Sequence, residues 1–462
     1  MEKTLKQIKT QAISDFKKHI NLTQFIFLNT VGVDIIESDR NGVFMSDLVD
    51  GRKFIDCFCS AGSFNVGRCS SEIRAALTAA LDDYDMGDSM FVSREKARLA
   101  NKLAEIAPGD LNHVILTSGG GEAIDTAIKL ARGYTGKPGI VAMIKAYHGH
   151  TGFALSAIGK PVYRDPFEPL MPNYTHAPFN DLEAVKKAVC DDTAAIIFEP
   201  VQGEAGIFPA TQEFVSGLRR FCDERNVLLI FDEVQTGFGR TGKMFCAEHY
   251  GVAPDIMAVA KSLSGALYPI SATLFNEKVN QFVMANPEAI QSGSGGTDLG
   301  CVAGLAVIDY MLKNDIPGHV AKMGDYIGDR ILKLAEKHKG LVKEVRRKGL
   351  MIGLEYTHDM MGPLMTYYLG QNGVFAIFSG NNTKVMRLMP PLVISEKEAD
   401  MLVAAMDSAM TSVLRASKLV MKASKLPLVK NVLSVQELQV AIIAVAKIAR
   451  KAFPFAGGKG KK

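Results

Sequence analysis

Three short apolar runs between residues 193 and 261 each stop at a charged side chain. TAAIIFEP reaches Glu199, VLLIFDE reaches Asp232 and DIMAVAK reaches Lys261. A strand with hydrophobic residues on both faces is covered on both faces, the mark of a mainly parallel sheet between layers of helices. The helical run FVSGLRRFCDER (214–225) separates two of these strands. VILTS (114–118), EAIDTAIKLARGYTG (122–136) and GIVAMI (139–144) begin the same alternation upstream. Such sheets bind ligands beyond the carboxyl ends of their strands. Glu199, Asp232 and Lys261 are therefore expected on one rim.

The rest of the chain reads as additions to this platform. Residues 4–20 carry Leu5, Ile8, Ile13, Phe16 and Ile20 at helical spacing. Asp50-Gly51 lies between two apolar runs over 43–58, a hairpin signal. Helices are expected over 71–86, 94–107, 299–312, 318–338 and from about 396 to 413, and short strands over 341–345, 350–356, 374–378 and 384–388. A further apolar-faced helix is expected over 431–449. The expected division is an N-terminal segment, 1–60, joining a small domain; a large α/β domain, 61–315; a small α+β domain, 316–415; and a C-terminal helical extension, 416–462.

Composition excludes several classes. A net charge of +4 over 462 residues gives no reason to expect nucleic acid. No apolar run is long enough to span a membrane, and the N-terminus lacks a secretory pattern. Seven scattered cysteines do not form a disulfide framework, and no Cys/His cluster has metal spacing, so a reduced cytoplasmic protein without a metal is expected.

A carboxylate and an amine at neighbouring strand ends are what pyridoxal phosphate requires. The amine of Lys261 forms a Schiff base with the aldehyde, and Asp232 keeps the pyridine nitrogen protonated so that the ring accepts electrons. Ser118-Gly119-Gly120-Gly121-Glu122 ends a strand and opens a helix, where free backbone N–H groups cradle a phosphate. Singly, each has a bland reading: a solvated strand-end lysine, a capping aspartate, a plain glycine turn.

The segment Asp232-Glu233-Val234-Gln235-Thr236-Gly237-Phe238-Gly239-Arg240-Thr241-Gly242, followed by Pro254-Asp255 and Ala260-Lys261, carries a resemblance. The chain resembles the class III aminotransferases of pyridoxal-phosphate fold type I over roughly residues 25–415, in layout most like the putrescine, ornithine and acetylornithine enzymes. The resemblance implies transfer of an amino group from a diamine, an ω-amino or an α-amino acid to an oxo acid such as 2-oxoglutarate or pyruvate. It implies Lys261 as the Schiff-base lysine, Asp232 as the ring-nitrogen partner, and Gln235 at the phenolic oxygen. It implies Tyr147 stacked on the ring with His148 beside it, and Gly120 and Gly121 are the expected phosphate cradle. Glu199 and Glu204 are implied near substrate, one of them switching between substrates by pairing with an arginine, and Arg387 takes the α-carboxylate. It also implies a homodimer with shared active sites. Racemase, epimerase or lyase chemistry on the same cofactor is the alternative, and a non-catalytic structural or regulatory protein a second.

Two positions depart from the family pattern. Gly121 stands where a threonine or serine is expected, and Gly293 where the neighbouring subunit provides a threonine. Ser292, Ser294 or Thr297 is the candidate replacement, and a looser phosphate grip carried by backbone amides is expected. Tyr268, in a turn less glycine-rich than the family's, is expected to line or narrow the pocket.

Overall fold

A computed structural model describes residues 4–87 and 91–423, with side chains to residue 416. The helix expected over 431–449 lies outside the described residues, as does most of the 416–462 extension.

A seven-stranded sheet runs in the order His113–Thr117, Ser271–Phe275, Ile256–Val259, Leu228–Asp232, Thr193–Phe198, Gly139–Met143, Tyr174–Ala177. Every strand is parallel to the rest except Ser271–Phe275, which runs against both neighbours. Burial on both faces explains the apolar runs. Leu229 and Phe231 enter one core with Ile196 and Phe198, while Leu228 and Ile230 enter another with Ala195 and Ile197. Helix Gly120–Thr135 lays Ile124, Ala127, Ile128 and Ala131 into the second core. Helix Gln212–Arg225 lays Phe214, Val215, Leu218 and Cys222 into the first.

Two strands of this sheet escape the sequence reading. Ser271–Phe275 alternates hydroxyls with apolar residues, although all five residues are buried. Its hydroxyls are satisfied inside: Ser271 Oγ lies 2.6 Å from Thr117 Oγ1, and Thr273 donates to the Ala123 carbonyl at 2.8 Å. Tyr174–Ala177, an edge strand, is only partly buried and so lacks the apolar run.

The Asp50-Gly51 hairpin forms as expected, with Met45 opposite Phe54 and Gly51 at φ +66°. The single strand expected over 374–378 breaks at buried Ala376. Val374–Phe375 pairs with Ile55–Asp56, while Ile377–Phe378 pairs with Met386–Arg387 in a second sheet with Val342–Lys348 and Met351–Tyr356. The helix expected over 71–86 stops at Ala80, ahead of Asp82-Asp83, which disfavour a helix end.

The N-terminal helix, Leu5–His19, starts on a Thr4/Gln7 capping box. None of its residues is buried, and Leu5 and Ile8 face solvent. It is tied down by Lys9, whose ammonium lies 2.9 Å from Asp47 Oδ1. The Asp47 carboxylate also accepts N–H groups of Ile36, Val49 and Asp50. Burial pushes its pKa up, but the Lys9 hydrogen bond and these N–H groups outweigh burial and hold it down at about 2. A carboxyl with a depressed folded pKa stabilises the fold above its ordinary 3.8, and that contribution disappears as pH falls through about 2. Asp47→Ala is therefore expected to cost about 2 kcal/mol at neutral pH and to flatten the acid side of the stability profile, both measured by denaturant unfolding between pH 2 and pH 7.

Candidate functional site

The three charged strand ends do meet. A cavity of about 460 Å³ opens at the carboxyl edge of the sheet, lined by Gly119, Gly120, Gly121, Tyr147, His148, Glu199, Glu204, Asp232, Gln235, Lys261 and Tyr268 among others. Its size suits a small organic ligand.

Asp232 closes its strand in register with Ala258 of the next, three residues before Lys261. One carboxylate oxygen accepts the Val234 N–H at 3.0 Å, and the other lies 2.7 Å from Nδ1 of His148. His148 is buried. Burial pulls its pKa down, but the hydrogen bond and charge of Asp232, with the charge of Glu199, outweigh burial and hold it up. The His148 ring thus gives the buried Asp232 carboxylate a hydrogen-bond partner in a site where an unpartnered carboxylate would be expensive.

Lys261 begins a single 3-10 turn, Lys261–Ser264, just past its strand. Its backbone is left-handed, φ +45°, and Gly265 and Ala266 follow at +60° each. A non-glycine residue held there is strained by about 1 kcal/mol, and such strain gathers at functional positions. The turn is fixed from below by Ser262 Oγ, which donates to the Gly62 carbonyl at 2.8 Å. Burial lowers the pKa of the Lys261 ammonium, with Asp232, Glu204 and Glu199 opposing. The outcome is an amine nearer neutrality than a surface lysine.

Gln235 donates to the Ala61 carbonyl at 2.9 Å, and its Oε1 is buried without a partner, as is Nε2 of His148. Gln235 Oε1 packs directly over Gly203, where a Cβ would lie 1.7 Å away and the glutamine end would have to move. Glu199, expected near substrate, also lines the cavity, but its two oxygens accept the N–H groups of Tyr147 at 2.9 Å and Gly203 at 3.2 Å. That geometry makes Glu199 a positioning residue for the segments bearing Tyr147 and Glu204. Glu204 lines the cavity and is ion-paired with Arg387 Nη1. Arg387 is 4% exposed, and its Nε is buried without a partner.

Gly119 is the N-cap of helix Gly120–Thr135, and the first-turn N–H groups have no helical acceptor. The space beside Gly121 is taken: a Cβ there would lie 2.9 Å from Thr151 Oγ1, and a Cβ on Gly149 would lie 2.9 Å from Gly121 Cα. Asp125, which accepts the Ala154 N–H at 2.8 Å, has its pKa raised by burial against the lowering effect of that N–H and of the nearby Thr151 hydroxyl. None of the three hydroxyls anticipated from the sequence replaces a residue-121 side chain within this chain. Ser294 is exposed, Ser292 lines a different cavity, and Thr297 caps helix Asp298–Lys313 by accepting the Gly300 N–H. Thr151 is the residue that sequence reasoning missed, since its closeness to Gly121 is a tertiary contact.

A helix N-terminus, a buried carboxylate–imidazole pair and a lysine whose pKa burial lowers share one cavity, an arrangement suited to a phosphorylated aromatic aldehyde. The chain matches the profile "Aminotransferase class-III" over residues 29–410. It is 45% identical over 392 residues, 85% of this chain and 92% of the relative, to an uncharacterized aminotransferase of Archaeoglobus fulgidus. Among solved structures it is similar to an ornithine aminotransferase of Toxoplasma gondii (26% identity, TM-score 0.79, 83% of this chain and 92% of that one). It is also similar to an (S)-enantioselective ω-transaminase of Thermomicrobium roseum (26%, TM-score 0.80, 88% and 99%). An acetylornithine aminotransferase of Elizabethkingia anophelis is a third (27%, TM-score 0.74, 89% and 100%). The chain belongs to the class-III aminotransferases. It has the fold type I architecture, its cofactor is pyridoxal phosphate, and its activity is amino-group transfer.

The residues present fit that cofactor: the glycine cradle has room only for an uncrowded backbone, and buried Gln235 Oε1 and His148 Nε2 are without protein partners. Gly121→Ser alone is expected to weaken cofactor retention, because the new side chain meets Thr151. Gly121→Ser with Thr151→Ala is expected to tighten retention about tenfold, since one charge-assisted hydrogen bond is worth roughly 1.5–3 kcal/mol. Pyridoxal phosphate release during dialysis, followed by fluorescence, measures both.

Proposed function

We propose that Lys261 carries the cofactor, that Asp232 faces its ring nitrogen, and that Arg387 receives the α-carboxylate of amino- and oxo-acid substrates. The observation that carries this reading is the convergence of Lys261, Asp232 and the glycine cradle on one cavity. Tyr147, half-buried on the cavity wall, would cover the ring face, and Gln235 would meet the ring oxygen. Gly120 and Gly121 would offer backbone N–H groups to the phosphate.

Bound pyridoxal phosphate supplies an electrophilic carbonyl and a ring that accepts electron density. The protein does the rest by placing protons. Asp232, hydrogen-bonded to His148, would hold a proton on the ring nitrogen. Lys261 Nζ, made less basic by burial, would be the group placed to take a proton from the substrate Cα. Arg387 fixes substrates that bring an α-carboxylate, while the Glu204–Arg387 pair presents a neutral wall to donors that react through a distal amine. Diamines and ω-amino acids are thus the donors we favour, with 2-oxoglutarate or pyruvate as acceptor. Retention of both Lys261 and Asp232 in one cavity weighs against a non-catalytic role.

The proposed assembly is a homodimer. Phe91 and Val92 are 74% and 97% exposed and line a second cavity with Ser292 and Gly293, an apolar surface that a second copy would cover. Ser294 would then serve the neighbouring site. No helix among the described residues is long and apolar enough to cross a membrane. The seven cysteines are unpaired, in keeping with the reducing cytoplasm we propose.

Lys261→Ala is expected to abolish turnover and the visible absorbance of the cofactor-loaded protein; full activity in that variant would overturn the assignment. Arg387→Ala is expected to raise KM for 2-oxoglutarate by about 10- to 100-fold, the value of a charge-assisted contact. A diamine donor should be affected far less. Steady-state kinetics in both half-reactions gives the comparison.

A further inference from the structure

If Arg387 is to receive a carboxylate, Glu204 must first leave it, and the surrounding residues determine where it can go. Glu204 is gripped by the loop Ser379-Gly380-Asn381, between strand Ile377–Phe378 and the strand Val385–Leu388 that carries Arg387. The Glu204 backbone carbonyl accepts from Ser379 Oγ and from the Asn381 N–H. Its carboxylate Oε2 already accepts the Gly380 N–H at 3.3 Å.

The space beside Gly380 is bounded by few atoms. A Cβ there would lie 3.0 Å from the Tyr163 hydroxyl and 3.2 Å from Glu204 Oε2. The Gly380 carbonyl accepts from Lys160 Nζ at 2.8 Å, and that ammonium lies 5.6 Å from the centre of the Tyr163 ring. Lys160 is partly buried: burial lowers its pKa, the charge of Glu204 raises it, and nearby Lys145 lowers it. A backbone N–H, a phenol and an ammonium therefore stand near Glu204 Oε2, the carboxylate oxygen that is not the one paired with Arg387 Nη1.

We propose that Gly380, Lys160 and Tyr163 form the receiving site for the Glu204 carboxylate when it leaves Arg387, and so set how readily the protein accepts a carboxylate-bearing substrate. The inference rests on the reading of Arg387 as the carboxylate site. Lys160, Tyr163 and Gly380 are then positioning residues, acting on substrate through Glu204. A rotation of the glutamate side chain suffices, because its backbone stays pinned by Ser379 and Asn381. The equilibrium between the two carboxylate positions is a two-state element that substrate and receiving site both bias.

The test uses the cofactor-loaded enzyme and glutarate, a dicarboxylate that cannot react, with affinity read by calorimetry. Gly380→Ala crowds Glu204 Oε2 and the Tyr163 hydroxyl, and Lys160→Met removes the cation; each is expected to weaken glutarate about 5- to 10-fold, within the usual range for coupled sites. Lys160→Arg should restore binding. In a Glu204→Gln background, where no anion needs a receiving site, Lys160→Met and Gly380→Ala should change glutarate affinity less than twofold. An equal loss there would mean that Lys160 touches the ligand directly, and the proposal would fall. Unchanged affinity in Gly380→Ala, with native thermal unfolding, would also overturn it. Arg387→Ala separates the layers: unchanged glutarate binding in that variant sinks the carboxylate site and the receiving site together. Weakened binding there, with no effect at Gly380 and Lys160, sinks only the receiving site.

Discussion

A carboxylate at the end of an apolar strand must be given a partner or lose its charge, and the site is arranged around that requirement at Asp232. The strand brings the side chain to the rim of a sheet whose two faces are filled with Phe231, Ile230 and their neighbours. His148, from the segment after Gly139–Met143, supplies that partner through a 2.7 Å hydrogen bond. Glu199, one strand over, orients that segment by accepting the Tyr147 N–H. Three parallel strands therefore fix a single electrostatic arrangement, and the strained turn at Lys261 is held against it.

The chemistry this allows depends on how little the remaining residues interfere. Glycines at 120, 121, 149 and 203 leave backbone and cavity uncovered where any side chain would collide with Val234, Thr151, Gly121 or Gln235. At Gly121 the Thr151 hydroxyl occupies the space a side chain would need, and the first-turn N–H groups of the helix are open. At Arg387 the guanidinium is already paired with the Glu204 carboxylate, the arrangement from which the proposed exchange with a substrate α-carboxylate would start.

The motif Asp232 to Gly242 was legible as a unit, but its residues divide by task. Asp232 and Gln235 line the cavity. Glu233 instead accepts N–H groups of Cys246 and Ala247 and shapes the turn. Arg240, fully buried, donates to the carbonyls of Leu350 and Pro390 and to Asn65, stitching the turn to distant segments. Sequence reasoning placed the apolar strands and their charged ends through burial pattern, and took the role of Lys261 from the motif around it. It missed Ser271–Phe275, whose hydroxyls find partners only inside the assembled sheet, and it drew one strand through 374–378 where two different sheets claim the two halves.

By itself the sequence determined the alternation of buried strands and helices and the charged residues at their ends. Strands covered on both faces leave polar groups no place except the rim, and that rule is local enough to read along a chain. Only the tertiary structure decided that Glu204 closes over Arg387, 183 residues away, that Thr151 fills the space beside Gly121, and that Lys160 and Tyr163 stand around Gly380. These meetings join segments that share no periodicity, and nothing short of the packed fold sets their distances.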